Sequence, residues 1–296
     1  MVVCERCGAE GLDGSRFCAA CGAQLTQVAP PRETRKIVTA LFCDVVGSTA
    51  LGEELDPEAL RGVMNRYFEE LRATIERHGG TVDKFIGDAI MAAFGLPIAH
   101  DDDEDRAVRA AIAMIRECRR WSLARVERGQ QPVEMGIGLN TDMVVSGNIG
   151  SAKRMDYTLI GDGVNLASRL ESACKSYSAQ ILISENTFSR LRGTYRIRNV
   201  DQVVVKGKTE PVGVFEVLDH HTDESFPNLM DVVSYFNDGM RNYRAGNFTG
   251  AIGQFEKALV CHPHDKLSTT YIERCRHLTS HPPDGDWNGV WVMTQK

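Results

Sequence analysis

An α+β fold whose sheet contains antiparallel pairs is predicted by three observations. Short apolar runs come in pairs around turn dipeptides, as the strands of hairpins do. Helix-period stretches are interspersed among them without the regular alternation of a purely parallel sheet. The 296 residues are 43% hydrophobic and 25% charged, enough for about two globular domains plus a small module. Disorder is thereby excluded as the main state. The net charge of −6 argues against a general electrostatic grip on nucleic acid or anionic lipid. No apolar run approaches the ~18–20 residues of a membrane span. The longest, Ala89 to Ala99, is broken by Gly95 and Pro97. No apolar signal-peptide core opens the chain, so a cytoplasmic protein with reduced cysteines is expected.

Three zones follow from the pattern: 1–31, 32–220 and 221–296. In the middle zone, Ile37 to Val46 is a continuous apolar run without helical period, hence a buried strand. Asp56-Pro57 is a helix start, and Leu60, Met64, Tyr67, Leu71 and Ile75 form one face behind it. His78-Gly79-Gly80 ends that helix. Val82–Ile86 and Ala89–Phe94 flank Gly87-Asp88 as a hairpin. Ala107 to about Val126 is amphipathic helix. Val133–Leu139 and Met143–Ile149 flank Thr141-Asp142 as a second expected hairpin. Asp162–Ser176 reads as helix; Gln180–Ile183, Tyr195–Val205 and Val212–Leu218 read as strands. From about 229 onward the pattern is helical.

The first zone holds Cys4-x-x-Cys7-Gly8 and Cys18-x-x-Cys21-Gly22, separated by ten residues. Four thiolates at this spacing can enclose one tetrahedral Zn²⁺ as a closed structural site. So small a segment cannot bury a core, and the metal supplies its folding energy. A redox dithiol pair or an iron site are the alternatives. The segment resembles a zinc ribbon. Cys43, Cys118, Cys174, Cys261 and Cys275 lie in separate elements and read as small buried hydrophobes or free thiols.

Two aspartates carry the strongest chemical signal. Asp44 ends the first strand, and Asp88 sits in the first hairpin turn. A carboxylate at the end of a buried strand is costly unless paired or metal-bound. Asp44 as the N-cap of a helix after Gly47, and Asp88 as a plain turn residue, are the simpler readings. Two such carboxylates at one sheet edge could hold two divalent cations for phosphoryl chemistry.

Phe42-Cys43-Asp44-Val45-Val46-Gly47-Ser48-Thr49, Asp83 to Gly95 and Met155 to Glu171 resemble, in order, signature segments of the class III nucleotidyl cyclases. The resemblance spans about 32–220. It implies a cyclase homology domain: a mixed, largely antiparallel sheet with helices on its outer face, acting as a head-to-tail homodimer with two shared sites. It implies ATP as substrate, with two Mg²⁺ or Mn²⁺ per site held by Asp44, Asp88 and the Val45 carbonyl. It assigns Lys84 and Thr158 to adenine, Asn165 and Arg169 to the ribose and transition state, and Lys206 (Lys208 being second choice) to the terminal phosphates. Lysine only donates and threonine can accept, which suits the ring acceptor and amino donor of adenine. Guanine would want an acceptor such as Glu opposite its ring N–H. Asn165 and Arg169, four apart, share one helix face; a helix end with a surface Arg is the plain alternative. A guanylate cyclase, and a silent nucleotide-binding regulatory protein, are the competing functions.

His100 to Asp105 looks metal-binding, but these acids at a helix start complement its positive end. His262 and His264 flank Pro263 in a turn and read as surface residues. Gly239, Ala251, Phe255, Ala258 and Pro263 resemble one tetratricopeptide helix pair over 232–265, with a further helix at Leu267–Leu278. The ribbon and this helical tail are the surfaces left for a protein partner. A structural cap is the equal alternative for the tail, with Trp287 and Trp291 docking it.

Overall fold

A computed structural model describes residues 2–3, 6–11, 17–23, 34–46, 56–151, 154–203, 211–282, 287 and 289. The strands are β1 (Val2–Val3), β2 (Glu10–Gly11), β3 (Thr34–Val46), β4 (Thr81–Ile86), β5 (Ala89–Phe94), β6 (Glu134–Ser151), β7 (Arg154–Ile160), β8 (Ile181–Ser184), β9 (Ile197–Val203) and β10 (Val212–Val217). The helices are α1 (Pro57–Arg77), α2 (Asp103–Val126), α3 (Asp162–Tyr177), α4 (Glu185–Phe188), α5 (Leu229–Arg244), α6 (Phe248–Cys261) and α7 (Lys266–Ser280). Two compact units result: residues 1–35 with 145–160, and residues 36–144 with 161–296. In the first, β1 pairs with β2, and β7 lies antiparallel to the distal part of β6.

The main sheet runs β4-β5-β3-β6-β8-β10-β9, and it is mixed: β6 and β8 are parallel, while β3–β5, β4–β5, β8–β10 and β9–β10 are antiparallel. Alternation along β8 shows how it is covered. Ile181 and Ile183 join a core with Leu41, Tyr67, Leu71, Ile75 and Ile115 of β3, α1 and α2. Leu182, between them, joins a second core with Leu166 and Leu170 of α3 and Phe236, Phe255 and Tyr271 of α5–α7. The C-terminal helices therefore share a core with α3 and the β8–β10 end of the sheet.

The α1 face read from periodicity is the buried one: Tyr67, Leu71 and Ile75 are at most 5% exposed. The second expected hairpin is not one. Residues 134–151 form a single strand through Thr141-Asp142, and the chain reverses only beyond Ser151, into a strand the periodicity did not reveal. Buried hydroxyls explain why a turn-like pair stays extended. The Thr141 N–H donates to Thr187 Oγ1 at 2.9 Å, and its Oγ1 lies 2.8 Å from Thr39 Oγ1. Asp142 takes the Met143 N–H at 2.8 Å.

The acidic run at 101–105 serves the fold. Asp102 accepts from Arg106 and Arg109, Asp103 from the His100 N–H, and Asp105 from the Arg192 and Gly193 N–H groups and the Tyr195 hydroxyl. The helix starts at Asp103, ahead of the expected Ala107. His262 departs from the surface reading: it is half-buried, its ring 4.4 Å from Phe226, whereas His264 is exposed. Cys43, Cys118, Cys174 and Cys275 are buried and Cys261 half-buried. Trp287 does dock, donating from Nε1 to the Tyr243 carbonyl at 2.8 Å and standing edge-on to Tyr243 and Phe248. Trp291 lies outside the described residues, and no described helix is long and apolar enough to cross a membrane.

Candidate functional site

The alternation of β3 buries Leu41, Cys43 and Val45 and leaves Asp44 half-exposed between them. The next hairpin supplies its neighbour. Gly87 takes φ +65°, a conformation L side chains rarely adopt, and turns β4 into β5. Pairing of Cys43 with Ile90 and of Ile86 with Ala89 then brings the turn residue Asp88 beside Asp44, 44 positions away in sequence. The register of two strand pairs, and no local signal, makes this pair.

The two carboxyls crowd each other. Asp44 Oδ1 accepts the Val45 N–H at 2.9 Å, yet its pKa is raised, first by burial and then by the charge of Asp88. A third acid joins them. Glu171 on α3 is pushed up to about 7 by burial, then by the negative charge of Asp44, with Asp88 adding to it. Asp88 raises the proton affinity of Asp44, and both raise that of Glu171, so the site is short of positive charge, which divalent cations would supply. Asp44 and Asp88 fit such cations. Glu171 was not singled out from the sequence. No local signal marks it, since a glutamate two residues after Arg169 is ordinary on an amphipathic helix.

α3 presents Asn165 and Arg169 on its exposed face, while Leu166, Ala167 and Leu170 are buried. Neither Asn165 nor Arg169 has a hydrogen-bonded or ionic partner among the described residues, so their donors face solvent. The helix can lie this close to β6 because residue 138 is glycine. A Cβ there would stand 2.2 Å from the Ala167 carbonyl oxygen and 2.3 Å from the Glu171 nitrogen.

Lys84 lies on β4 just past a bulge, with Nζ 3.3 Å from Asp83 Oδ2. Thr158 is on β7 opposite Gly147, in the other compact unit. Lys206 and Lys208 lie outside the described residues, as does Cys4. The sulfurs of Cys7, Cys18 and Cys21 lie within 4.8 Å of one another, with Cys7 and Cys18 at 3.6 Å. Gly8 and Gly22, after each knuckle, adopt φ +73° and +68°. Hydrogen bonds from the backbone at Cys21 and Ala20 bring the Cys18 thiol down to about 6, with the Cys7 and Cys21 thiols adding to this. That side chain is thus poised as a thiolate ligand at neutral pH.

Comparison with known proteins places these features in context. The family described as the adenylate and guanylate cyclase catalytic domain matches residues 31–217, and a zinc-ribbon domain matches residues 3–25. A terminal-differentiation-specific adenylate cyclase of Dictyostelium discoideum is 35% identical over 245 residues, covering 81% of this chain and 11% of that protein. An adenylate cyclase of Anabaena cylindrica is 37% identical over 62% of this chain and 37% of its own length. The chain thus spans only a minor part of these two curated relatives. Among solved structures, the adenylyl cyclase CyaB of P. aeruginosa superposes with a TM-score of 0.59 at 39% identity, covering 65% of this chain and 98% of that one. The guanylyl cyclase Cya2 superposes with a TM-score of 0.56 at 38% identity, covering 62% and 93%.

Proposed function

The chain belongs to the adenylate and guanylate cyclase catalytic-domain family, and on that premise we propose that it converts ATP to 3′,5′-cyclic AMP and pyrophosphate at the interface of a homodimer. One observation carries the reading. Asp44 and Asp88 meet on one surface, while Asn165 and Arg169 stand together on the exposed face of α3. A second copy, turned head to tail, would bring the donors of one protomer to the carboxylates of the other. Phe85 and Ile86, 45% and 50% exposed beside Asp88, supply apolar surface for such an interface.

Asp44, Asp88 and the Val45 carbonyl would hold two Mg²⁺ or Mn²⁺. When bound, these ions acidify the ribose 3′-hydroxyl and offset the charge of the triphosphate. Asn165 orients the ribose. The 3′-oxygen attacks the α-phosphorus, and the bond to the bridging oxygen of pyrophosphate breaks. Arg169 donates to α-phosphoryl oxygens as charge builds there, a contact typically worth ~10²–10³ in rate. Lys206 meets the departing phosphates. The fold does not choose the base, because adenylyl and guanylyl cyclases share it. Lys84 donating to the ring and Thr158 accepting from the amino group favour adenine. In the ribbon, Cys4, Cys7, Cys18 and Cys21 would bind one structural Zn²⁺; the ribbon and the helical tail are the surfaces for a protein partner.

The test is an assay of purified protein with ATP or GTP and Mn²⁺ or Mg²⁺, with Asp44→Ala as control. Cyclic AMP from the wild type and none from the variant is expected; no turnover of either nucleotide would favour the silent regulatory reading, and cyclic GMP as the only product the guanylate cyclase. Mixing Asp44→Ala with Arg169→Ala should restore activity through one intact site per heterodimer. Heterodimers that stay inactive would refute the shared site.

A further inference from the structure

The C-terminal helices end on the two elements that lead to the proposed transition-state groups. Tyr177, the last residue of α3, is buried and donates its hydroxyl to Asp201 Oδ2 on β9 at 2.7 Å. Arg274 of α7 donates to the same oxygen at 3.0 Å, and its guanidinium lies 5.6 Å from the Tyr177 ring centre and 4.9 Å from that of Tyr271. Tyr271 donates to the Val200 carbonyl at 2.6 Å. A second buried set repeats the pattern: Arg198 of β9 bonds Glu216 of β10 at 2.6 Å and Asp265, the N-cap of α7, at 2.9 Å.

Buried ion pairs are weak stabilisers, because the cost of desolvation offsets much of the attraction. What they do supply is one geometry: a charge left unpaired in the core is expensive, so the elements cannot slide past each other. Here the fixed elements are α3, which carries Asn165 and Arg169, and β9, whose chain continues to Lys206 three residues after its end. α3 is a rod of about 24 Å at 1.5 Å per residue. Its buried side, Leu166 and Leu170, already packs in the core of α5–α7. Holding its last residue sets the direction of its first turns.

Resting on the cyclase reading above, we infer that Tyr177, Asp201 and Arg274 are positioning residues for Asn165 and Arg169, so that α7 holds α3 in place and is not an appendage. The roles of Asn165 and Arg169 arise mainly in the transition state, so loosening α3 should lower kcat and spare KM.

The experiment uses the full chain. Arg274→Met keeps an apolar stem and removes the guanidinium; Tyr177→Phe removes one hydroxyl and serves if the first variant fails to fold. Trp287→Ala is the control, since Trp287 touches Tyr243 and Phe248 of the helical unit and neither α3 nor β9 in the contacts above. Steady-state kinetics with ATP and Mn²⁺ are read beside melting temperature and amide exchange over residues 162–170. Arg274→Met is expected to lose about 10- to 100-fold in kcat, with KM for ATP within about twofold and faster exchange in the first turns of α3. Tyr177→Phe should show the same changes in smaller measure. Trp287→Ala should melt earlier yet keep its kcat and α3 exchange. Folded Arg274→Met and Tyr177→Phe proteins with wild-type kcat and exchange would overturn the inference. So would a Trp287→Ala protein that loses kcat as they do. A wild type that makes no cyclic nucleotide would refute the cyclase reading instead, and exchange over α3 would then decide the clamp alone.

Discussion

Substituting Gly138 by alanine tests whether close contact between α3 and β6 sets the site. The added methyl would stand 2.2 Å from the Ala167 carbonyl oxygen, 2.3 Å from the Glu171 nitrogen and 2.9 Å from the Leu170 carbonyl carbon. All three are backbone atoms of a helix, so no side chain can rotate away. The neighbours Ile137 and Leu139 are fully buried, so the strand cannot yield either. Relief therefore requires α3 to back off by about 1 Å, which strains a core normally packed as tightly as an organic crystal. Overpacking of this kind costs about 1–3 kcal/mol, or several degrees in melting temperature for a chain of this size, at ~2–4 °C per kcal/mol. The same displacement carries Asn165 and Arg169 with it, and about 1 Å of misplacement can lower a rate ~10²-fold. Thermal melting and the steady-state rate of cyclic AMP formation are the measurements. Gly253→Ala is the control: it lies within α6 with nothing near the added methyl, and should be neutral or gain up to about 1 kcal/mol from helix propensity. A Gly138→Ala protein with wild-type melting temperature and rate would refute the contact argument.

Further predictions follow from the same geometry. Lys84→Glu replaces a donor with an acceptor where the adenine ring is proposed to sit, so the ATP-to-GTP ratio of kcat/KM should fall at least about 100-fold; an unchanged ratio would remove Lys84 from base selection. Elemental analysis should find one zinc per chain in the wild type and none in Cys18→Ser; a wild type carrying iron, or no metal, would reject the zinc assignment. Burial, with Arg119 next, lowers the pKa of His221 to about 4, and burial, with His221 next, lowers that of His220 well below its usual value. The unfolded chain, with histidine near 6.5, then binds protons that the native state refuses. Their contribution to stability is complete above about pH 6.5 and is lost as pH falls toward 4. Urea midpoints at pH 7.5 and 5 should therefore differ by less in His221→Asn than in the wild type; an equal difference would exclude His221 as a source of the acid sensitivity.

Much of the fold was legible because local pattern and tertiary burial agree. The period of α1 named the residues that are now buried, and the Gly87-Asp88 turn was evident from its flanking apolar runs. Thr141-Asp142 failed for the opposite reason. Polar residues in mid-strand imitate a turn unless a remote partner, here Thr39 and Thr187, is known to satisfy them. β7 was missed together with that misplaced reversal. Glu171 was invisible because nothing about a glutamate on an amphipathic helix says that a strand more than a hundred residues earlier brings carboxylates against it.

By itself the sequence determined the chemical inventory: two knuckles of cysteine, two aspartates at strand and turn, and a helix with Asn165 and Arg169 one turn apart. These depend on residue type and short spacing, which local sterics and hydrogen bonding convert directly into structure. Tertiary structure alone decided what meets what. Strand register joined Asp44 to Asp88, a missing Cβ let α3 settle on β6, and buried charge pairs fixed α7 to β9, where the Tyr177 hydroxyl of α3 shares Asp201. Such contacts draw their energy from burial between segments far apart in the chain, and no local pattern encodes that partner.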